Sequence, residues 1–341
     1  MTTPPETVLV YSGLELMGDG FMKIPFLRAL RGAWPRARIT WLAGNGKTVY
    51  AGPLRPLVSA FLDEIIEEAG IGLSALELLR RPLAGRAFDL VIDTQRRVLT
   101  TLVLRRVSHR LFVSGAADFW LSERKPTGRY RKPAAMVEQL LDLVRVVAEE
   151  EPALAPPPLI PEPYQAAARI ALPDDEIRLG LVPGAGGRHK CWPRERYVAL
   201  ANEAVARGWR PVFLLGPAER DWLDALRDAE PAARFPLQDP AVQADRATSP
   251  LFTMAVGRRL ALAVTNDCGT AHMLAAAETP LVSLFGPSAP RKFAPSTPDL
   301  TVIRAQDFGG ESMAAIPLAA VLAAVERKLP ARQASATGVP R

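Results

Sequence analysis

The stretch IRLGLVPGAGGRHKCWPRERYVALANEAVARGWRPVFLLG, residues 177–216, predicts a strand, a glycine-rich turn, a helix and a second strand. Two short apolar runs separated by a helical pattern are typical of a parallel βαβ unit with a right-handed crossover. The alternation continues in LALAVTN and PLVSLFG, and it is already present in TVLVYSG, ARITWLAG, FDLVIDT and HRLFVSG. The sequence therefore predicts an α/β protein built on parallel sheets.

Proline content suggests where the chain divides. Seven of its 32 prolines lie between residues 149 and 176, where missing backbone donors favour an extended connection. We therefore expect one α/β domain at 1–150, a linker at 151–176 and a second α/β domain at 177–329. The last helix is expected in SMAAIPLAAVLAAVERKL, with Pro317 in its first turn, and residues 330–341 are predicted to be a disordered tail.

Composition narrows the class of protein. The 341 residues are 48% hydrophobic, yet no stretch approaches the roughly 18 apolar residues of a membrane span, and the N-terminus lacks a signal-peptide pattern. We therefore expect a cytoplasmic location. The two cysteines, Cys191 and Cys268, suggest neither a disulfide framework nor a zinc site, so no metal or other cofactor is expected.

Positive charge is concentrated in one segment. The net charge is +6, but residues 80–132 hold 13 Lys and Arg against 4 Asp and Glu. This excess predicts either an anionic partner, such as a phosphorylated lipid, a membrane surface or nucleic acid, or simply a solvated face rich in arginine.

The second domain begins with a candidate phosphate site. Gly184, Gly186 and Gly187 follow a predicted strand and let backbone N–H groups approach a ligand, while Lys190 supplies a flexible cation. The alternative is an ordinary glycine turn with a loop lysine.

A second candidate site lies in TNDCGTAHM, residues 265–273, where a strand gives way to a helix. The N–H groups of Cys268, Gly269 and Thr270 would form the positive end of that helix and suit a diphosphate. Asp267 is either a ligand or the N-cap of the helix, and His272 either donates to a ligand oxygen or packs in the core.

Two nucleotide-binding classes are disfavoured. GNGKT at 44–48 imitates the end of a P-loop, but Trp41 occupies the position where that loop needs a glycine. A nicotinamide-dependent dehydrogenase is disfavoured because neither domain has GxGxxG after its first strand.

Four segments, in order, resemble the landmarks of glycosyltransferase family 9, the heptosyltransferases of lipopolysaccharide assembly: MGDGFMKIPFLRALRGAWPRARITWL, PGAGGRHKCWPRERYVALA, LGPAERD and TNDCGTAHMLAAAETPLVSLFGPSAPRKFAP. The resemblance implies a GT-B fold, with two Rossmann-like domains whose parallel sheets face a central cleft. It also implies an inverting, metal-independent enzyme. The first domain would receive the acceptor and the second would bind the nucleotide sugar.

The resemblance assigns roles to individual residues. Asp19 matches the general base, a role compatible with its alternative as a helix cap. Lys190 would hold phosphate, Glu219 the ribose hydroxyls and Asp267 the sugar hydroxyls, with His272 beside it. Cys268 stands where the family more often has threonine, which removes a hydroxyl but keeps the backbone donor.

Two departures concern the surroundings of these residues. Glu15 makes the lead-in to Asp19 unusually acidic, so its charge either raises the pKa of Asp19 or faces solvent. The segment AGGRH also replaces a loop that more often carries hydroxyl groups.

The function implied is transfer of heptose from ADP-heptose to a hydroxyl of a lipopolysaccharide core or related surface glycan. Arg96 and Arg97, with Arg105 and Arg106, are candidates for an anionic glycolipid or oligosaccharide acceptor, and the enzyme would contact the inner face of the cytoplasmic membrane peripherally. No nucleic-acid partner is expected. The alternatives are a related transferase with another nucleotide sugar and acceptor, or a binding protein without turnover.

Overall fold

The computed structural model divides the chain into two compact units between Leu159 and Ile160. It describes residues 3–13, 15–44, 46–71, 75–79, 81–173 and 176–330. The predicted disordered tail, apart from residue 330, therefore lies outside the described residues.

The first unit contains a parallel sheet of five strands in the order β3-β2-β1-β4-β5. Its strands are β1 (Thr7–Ser12), β2 (Arg38–Ala43), β3 (Glu64–Ile66), β4 (Ala87–Asp93) and β5 (Ser108–Ser114). Its helices are α1 (Met17–Met22), α2 (Ile24–Ala33), α3 (Arg55–Val58), α4 (Val98–Leu104) and α5 (Met136–Ala148), with a 3₁₀ helix at Ala75–Leu79.

The second unit contains another parallel sheet of five strands, in the order β10-β9-β8-β6-β7. Its strands are β6 (Ile177–Val182), β7 (Trp209–Phe213), β8 (Leu262–Asn266), β9 (Leu281–Phe285) and β10 (Leu300–Arg304). Its α-helices are α6 (Glu162–Ala171), α7 (Arg194–Ala206), α8 (Leu223–Ala229), α9 (Ala244–Ala247), α10 (Pro250–Gly257), α11 (Gly269–Ala276), α12 (Pro290–Phe293) and α13 (Leu318–Glu326). Five 3₁₀ helices lie at Arg188–Lys190, Pro217–Trp222, Pro236–Gln238, Ala305–Phe308 and Met313–Ala315.

Both sheets have central strands that are apolar on both faces. β1 (TVLVYS) and β8 (LAVTN) are buried along almost their whole length, as expected of strands covered by helices on each side. In the second unit, α7 and α13 contact each other and contribute to one apolar core with the strands. The predicted α/β fold with two Rossmann-like domains is confirmed.

Strand order places one candidate binding region in each unit. The chain reverses its direction of winding between β1 and β4 in the first sheet, and between β6 and β8 in the second. In open α/β sheets a ligand binds beyond the carboxyl ends of the two strands that flank such a reversal. These two edges are the places where functional side chains should gather.

The structure differs from the sequence-based expectations in the connection between the units. The predicted linker at 151–176 contains α6, which packs against α10 and belongs to the second unit. Five of the seven prolines precede this helix, whereas Pro163 lies in its first turn and Pro173 follows it. The predicted last helix is also shorter, because Pro317 is the N-cap of α13, and the residues before it form a separate 3₁₀ helix.

None of the helices among the described residues is long and apolar enough to cross a membrane.

Candidate active site

The carboxyl edge of the second sheet brings the two predicted anion sites together. The loop after β6 leads into the 3₁₀ helix Arg188–Lys190, and the Nζ atom of Lys190 lies 2.9 Å from Oδ2 of Asp267, just beyond β8. The Lys190 side chain is about one-third exposed, and that of Asp267 is largely buried. An ammonium group and a carboxylate therefore meet at the β6–β8 reversal.

Asn266, the last residue of β8, fixes the glycine-rich loop in place. Its buried side-chain amide donates to the carbonyl of Pro183 at 2.8 Å, and its Oδ1 accepts from the backbone N–H of Trp192 at 3.1 Å. The Tyr197 hydroxyl donates to the same oxygen at 3.2 Å. One amide therefore joins both ends of the loop to the neighbouring strand, a role that the sequence analysis missed.

Glu219 lies at the end of the neighbouring strand β7, against the glycine-rich loop. It is buried, accepts a hydrogen bond from the Gly216 amide at 3.1 Å, and has its pKa raised by burial. A Cβ atom on Gly184 would come within 2.5 Å of its Cδ, so glycine is required there for the carboxylate to reach the backbone. The predicted ribose ligand is thus positioned beside the predicted phosphate loop.

The two other predicted loop glycines have different surroundings. An added Cβ at Gly186 would meet nothing within 4 Å, whereas one at Gly187 would come 2.8 Å from the His189 ring. The backbone at Gly186 is therefore open to a ligand.

Helix α11 begins beside the ion pair. Cys268, not Asp267, is its N-cap, so the alternative role of Asp267 as the cap is wrong. Gly269 and Thr270 lie in the first turn, where their N–H groups have no preceding helical carbonyl to bind. Burial raises the pKa of the Cys268 thiol to about 12, so this side chain is neutral at physiological pH.

His272 lies one turn into α11 and is buried. Its position is compatible with both roles that the sequence left open.

The side chains of Arg188 and Lys190 in the 3₁₀ helix have different partners. While Lys190 extends toward β8, the Arg188 guanidinium lies over the Trp222 ring at 4.4 Å and 3.7 Å from a carboxylate oxygen of Asp221. It also lies close enough to Glu219 to lower its pKa, against the larger effect of burial. Arg188 is a candidate site residue that the sequence analysis did not single out.

In the first unit, Asp19 lies at the carboxyl edge of the sheet, close in sequence to the end of β1. It is exposed and accepts a hydrogen bond from the Leu16 amide at 3.2 Å, inside the first turn of α1. Asp19 therefore lies on a short helix. Asp19 combines an accessible carboxylate with a capping contact, as the two compatible roles require.

Glu15 does not face solvent, so the prediction that its charge is solvated is wrong. It is not an isolated charge beside Asp19 either. Its side chain is fully buried and pairs with Lys23 at 2.5 Å, accepting further hydrogen bonds from Ser12 and Thr48 at 2.8 and 2.5 Å. A buried carboxylate is tolerated when it is paired and fully hydrogen-bonded. Its partners Lys23 and Thr48 could not be identified from the sequence.

The predicted acceptor arginines divide into two pairs. Arg96 and Arg97 follow β4 at the same edge as Asp19, and Arg96 donates to the Tyr130 hydroxyl at 3.0 Å. Arg105 and Arg106 follow α4 and precede β5, at the opposite edge of the sheet. Only the first pair lies where a ligand of this edge can reach it.

The chemistry available differs between the two edges. The second unit offers a lysine, a helix N-terminus and a glycine-rich backbone, which together suit a phosphate-bearing ligand, plus carboxylates that can accept from hydroxyl groups. The first unit offers an exposed carboxylate that can accept a proton, with arginines nearby.

Comparisons with known proteins identify a family that matches most of the chain. The family model described as glycosyltransferase family 9 (heptosyltransferase) matches residues 77–313. Lipooligosaccharide heptosyltransferase 2 of Haemophilus influenzae is 26% identical over 312 residues, covering 86% of this chain and 87% of that protein. Lipopolysaccharide heptosyltransferase 2 of Escherichia coli is 32% identical over 142 residues, which cover 40% of this chain and 38% of the Escherichia coli protein.

Solved structures share the fold across both units. A family 9 glycosyltransferase from Veillonella parvula superimposes with a TM-score of 0.68 at 22% identity, covering 94% of this chain and 96% of that one. The Escherichia coli heptosyltransferase WaaC, solved with ADP, also gives a TM-score of 0.68, at 19% identity, covering 95% of this chain and all of the other.

Proposed function

Because the chain belongs to glycosyltransferase family 9 and is therefore a glycosyltransferase, we propose that it transfers heptose from ADP-heptose to a hydroxyl of a lipopolysaccharide core or related surface glycan. The names of the relatives, which are heptosyltransferases of lipopolysaccharide or lipooligosaccharide, support this substrate class. The observation that carries the proposal is the Lys190–Asp267 pair beside the N-terminus of α11.

The donor occupies the edge of the second sheet in this proposal. The ADP diphosphate takes over the Lys190 ammonium and approaches the amides of Cys268, Gly269 and Thr270, which neutralise its charge as it leaves. Gly186 and Gly187 give the phosphates access to the backbone. Glu219 accepts from the ribose hydroxyls, while Asp267, released from Lys190, accepts from sugar hydroxyls with His272 beside it.

The transfer itself is a single displacement with inversion. The acceptor oxygen attacks C1 of the sugar from the side opposite the diphosphate while Asp19 takes its proton; the C1–O bond to ADP breaks and both electrons leave with ADP. Positive charge on the leaving group comes from Lys190 and backbone amides, which is why we propose a metal-independent reaction.

The acceptor is an anionic glycolipid or oligosaccharide. Arg96 and Arg97 lie at the edge that holds Asp19, and their charge suits phosphate or carboxylate groups near the reacting hydroxyl. Such an acceptor places the enzyme at the inner face of the cytoplasmic membrane as a peripheral, cytoplasmic protein.

A nucleotide panel followed by a transfer assay tests the proposal. Thermal unfolding is measured with ADP, UDP, GDP and NAD; at 100 times its Kd, a ligand stabilises by about 2.7 kcal/mol. We expect ADP to raise the Tm most, and ADP release from ADP-heptose to require a lipopolysaccharide-core acceptor. Preference for UDP or GDP would indicate a related transferase with another donor. A shift with NAD alone would refute the transferase proposal, and donor binding without ADP release in any acceptor extract would indicate a binding protein.

A further inference from the structure

The segment RRVLTTLVLRR, residues 96–106, contains helix α4, which exposes apolar side chains to solvent. The buried residues of α4 are Thr100, Thr101, Val103 and Leu104, whereas its solvent-facing side chains are Val98, Leu99 and Leu102. A surface helix of a globular protein normally turns its apolar side chains toward the core. Here two arginines precede the exposed apolar face and two follow it.

Neighbouring elements extend this apolar face. The 3₁₀ helix Ala75–Leu79 contacts α4 and exposes Leu76 and Leu79. On another side, the turn after β5 runs along α4: Asp118 pairs with Arg96 at 3.5 Å, and the Leu121 carbonyl accepts from Arg105 at 2.8 Å.

That turn presents a tryptophan to solvent. Trp120 lies between the two anchored residues and is 74% exposed. The three residues before it, Ala117, Asp118 and Phe119, all have positive φ angles of 48–66°, a conformation that is costly for residues other than glycine. In this strained turn the Phe119 side chain is buried and the Trp120 side chain is exposed.

The exposed side chains define one apolar patch: Leu76, Leu79, Val98, Leu99, Leu102 and Trp120. Twelve large apolar side chains are exposed among the described residues, and six of them belong to this patch. Exposed apolar side chains gathered on neighbouring elements often mark an interaction site.

Arginines lie at both ends of α4, while Glu77 of the 3₁₀ helix and Asp118 of the turn are acidic. Arg97 precedes α4 and is exposed, and Arg81, Arg105 and Arg106 line one shallow surface depression at the other end of the helix. Docking of a second copy on this surface would bring arginines against arginines. Apolar side chains and an aromatic ring bordered by cations instead suit an anionic lipid surface, where the rings and leucines enter the acyl boundary and the guanidinium groups meet phosphates.

We propose that α4, the 3₁₀ helix at 75–79 and the Trp120 turn form a surface that binds anionic phospholipid membranes. The inference rests on the proposed function for one point, the reason why the protein would bind a membrane. An enzyme that acts on a lipid-linked acceptor works at a bilayer. The vesicles described below contain neither donor nor acceptor, so vesicle binding and sugar transfer can fail independently.

The protein carries its own reporter for this surface. Of its six tryptophans, all of them among the described residues, Trp34, Trp41, Trp192, Trp209 and Trp222 are buried, which leaves Trp120 as the exposed fluorophore. Vesicles of phosphatidylglycerol mixed with phosphatidylcholine should shift tryptophan emission to the blue, and brominated acyl chains should quench it. Trp120→Phe should abolish both signals. Vesicles of phosphatidylcholine alone should produce little change, and high salt should reverse the shift.

Paired variants separate the patch from the rest of the surface. Leu99→Glu/Leu102→Glu should weaken binding to vesicles, measured by co-sedimentation, by more than about tenfold, because two leucines no longer enter the acyl boundary. Ile170→Glu/Val205→Glu makes the same change at exposed apolar positions of α6 and α7 and should bind like the parent. Arg81→Gln/Arg106→Gln should weaken binding by about fivefold per arginine, whereas Arg291→Gln/Arg327→Gln should not.

Three results would overturn the proposal: no blue shift with anionic vesicles, equal binding to neutral vesicles, or equal loss in the patch and control variants. A concentration-dependent dimer that Leu99→Glu/Leu102→Glu dissociates would assign the patch to a second copy instead. Circular dichroism and the ADP-induced shift in Tm verify that each variant is folded, since all the altered side chains are at least partly exposed.

Discussion

The ammonium group of Lys190 lies 2.9 Å from a carboxylate oxygen of Asp267, although the two residues are 77 positions apart in sequence. The pair spans the β6–β8 reversal and stands beside the first turn of α11. An incoming diphosphate and the Asp267 carboxylate would therefore compete for one cation, and the residue pair provides a test in which two substitutions have opposite effects.

Lys190→Gln should weaken ADP binding by about tenfold to a hundredfold, which corresponds to the loss of a hydrogen bond to a charged group. Asp267→Asn should leave ADP binding unchanged or tighter, because it removes the competing carboxylate, yet lower turnover of the nucleotide sugar. Calorimetric titration with ADP and a steady-state transfer assay measure the two quantities separately. Weaker ADP binding in both variants would mean that the ion pair only maintains the fold of this edge.

Asp19 offers two roles that one pair of substitutions can separate. Asn keeps an oxygen that accepts from the Leu16 amide, whereas Ala removes both the cap and the base. If Asp19 is the base, Asp19→Asn and Asp19→Ala should both lose transfer by at least about a hundredfold, with ADP binding retained. If the residue only caps α1, the Asn variant should keep its activity and the Ala variant should lose about 1 kcal/mol of stability in urea unfolding.

Asn266 should be far less tolerant of a one-atom change than a surface asparagine. Asn266→Asp cannot donate to the Pro183 carbonyl and directs a carboxylate at it, so we expect a loss of about 2 to 3 kcal/mol in the free energy of unfolding. ADP binding should weaken as well, because the loop that leads to Lys190 loses its attachment to β8. Asn202→Asp, at an exposed position of α7, is the matched control. Equal stability of the two variants would contradict the role assigned to Asn266.

The pKa of Asp93 predicts how the free energy of unfolding depends on pH. Burial raises its pKa to about 6, even though Thr101 and Ser114 donate hydrogen bonds to it at 2.6 and 2.8 Å. The folded protein therefore binds more protons than the unfolded chain between about pH 4 and pH 6, and the free energy of unfolding falls as pH rises through that window. A shift of this size corresponds to about 3 kcal/mol.

Asp93→Asn should remove that decline, because the two hydroxyl groups can rotate and accept from the amide. Urea unfolding at a series of pH values measures it. Asp89→Asn on the same strand is a control, because the pKa of Asp89 is shifted in the opposite direction. Burial alone would raise the pKa of Asp89, but the Glu6 and Thr7 amides and Arg110 lower it overall. Its substitution should cost stability at neutral pH. An unchanged pH profile in Asp93→Asn would show that this carboxyl titrates normally.

The central strands could be predicted because burial on both faces leaves an uninterrupted apolar run, as in β1 and β8. The edge strands β3 and β10 escaped prediction. β3 is only Glu64–Ile66 and is half-buried throughout, and β10 (LTVIR) carries its exposed arginine at the end. A short, partly solvated strand leaves neither a long apolar run nor a clear alternation.

For the candidate site, the sequence predicts which types of residue lie at the strand ends. It does not predict which of these residues contact one another. Glycines, a lysine and a helix start can be recognised locally, so Lys190 and α11 were expected. The contacts of Glu15 with Thr48, and of Lys190 with Asp267, depend on which strands become neighbours. Arg188 and Asn266 were missed for the same reason, since their roles are set by Trp222 and Pro183 across the fold.

Helix α1 has only six residues, and helices of this length do not persist by themselves. Two contacts attach it to the rest of the first unit. The Tyr50 hydroxyl donates to the Gly20 carbonyl at 2.7 Å, and Lys23, immediately after the helix, enters the buried cluster around Glu15. The carboxylate of Asp19 is consequently carried by a helix that is tied to the interior of the first unit. A movement that brings Asp19 to the acceptor hydroxyl must therefore carry these anchoring residues with it.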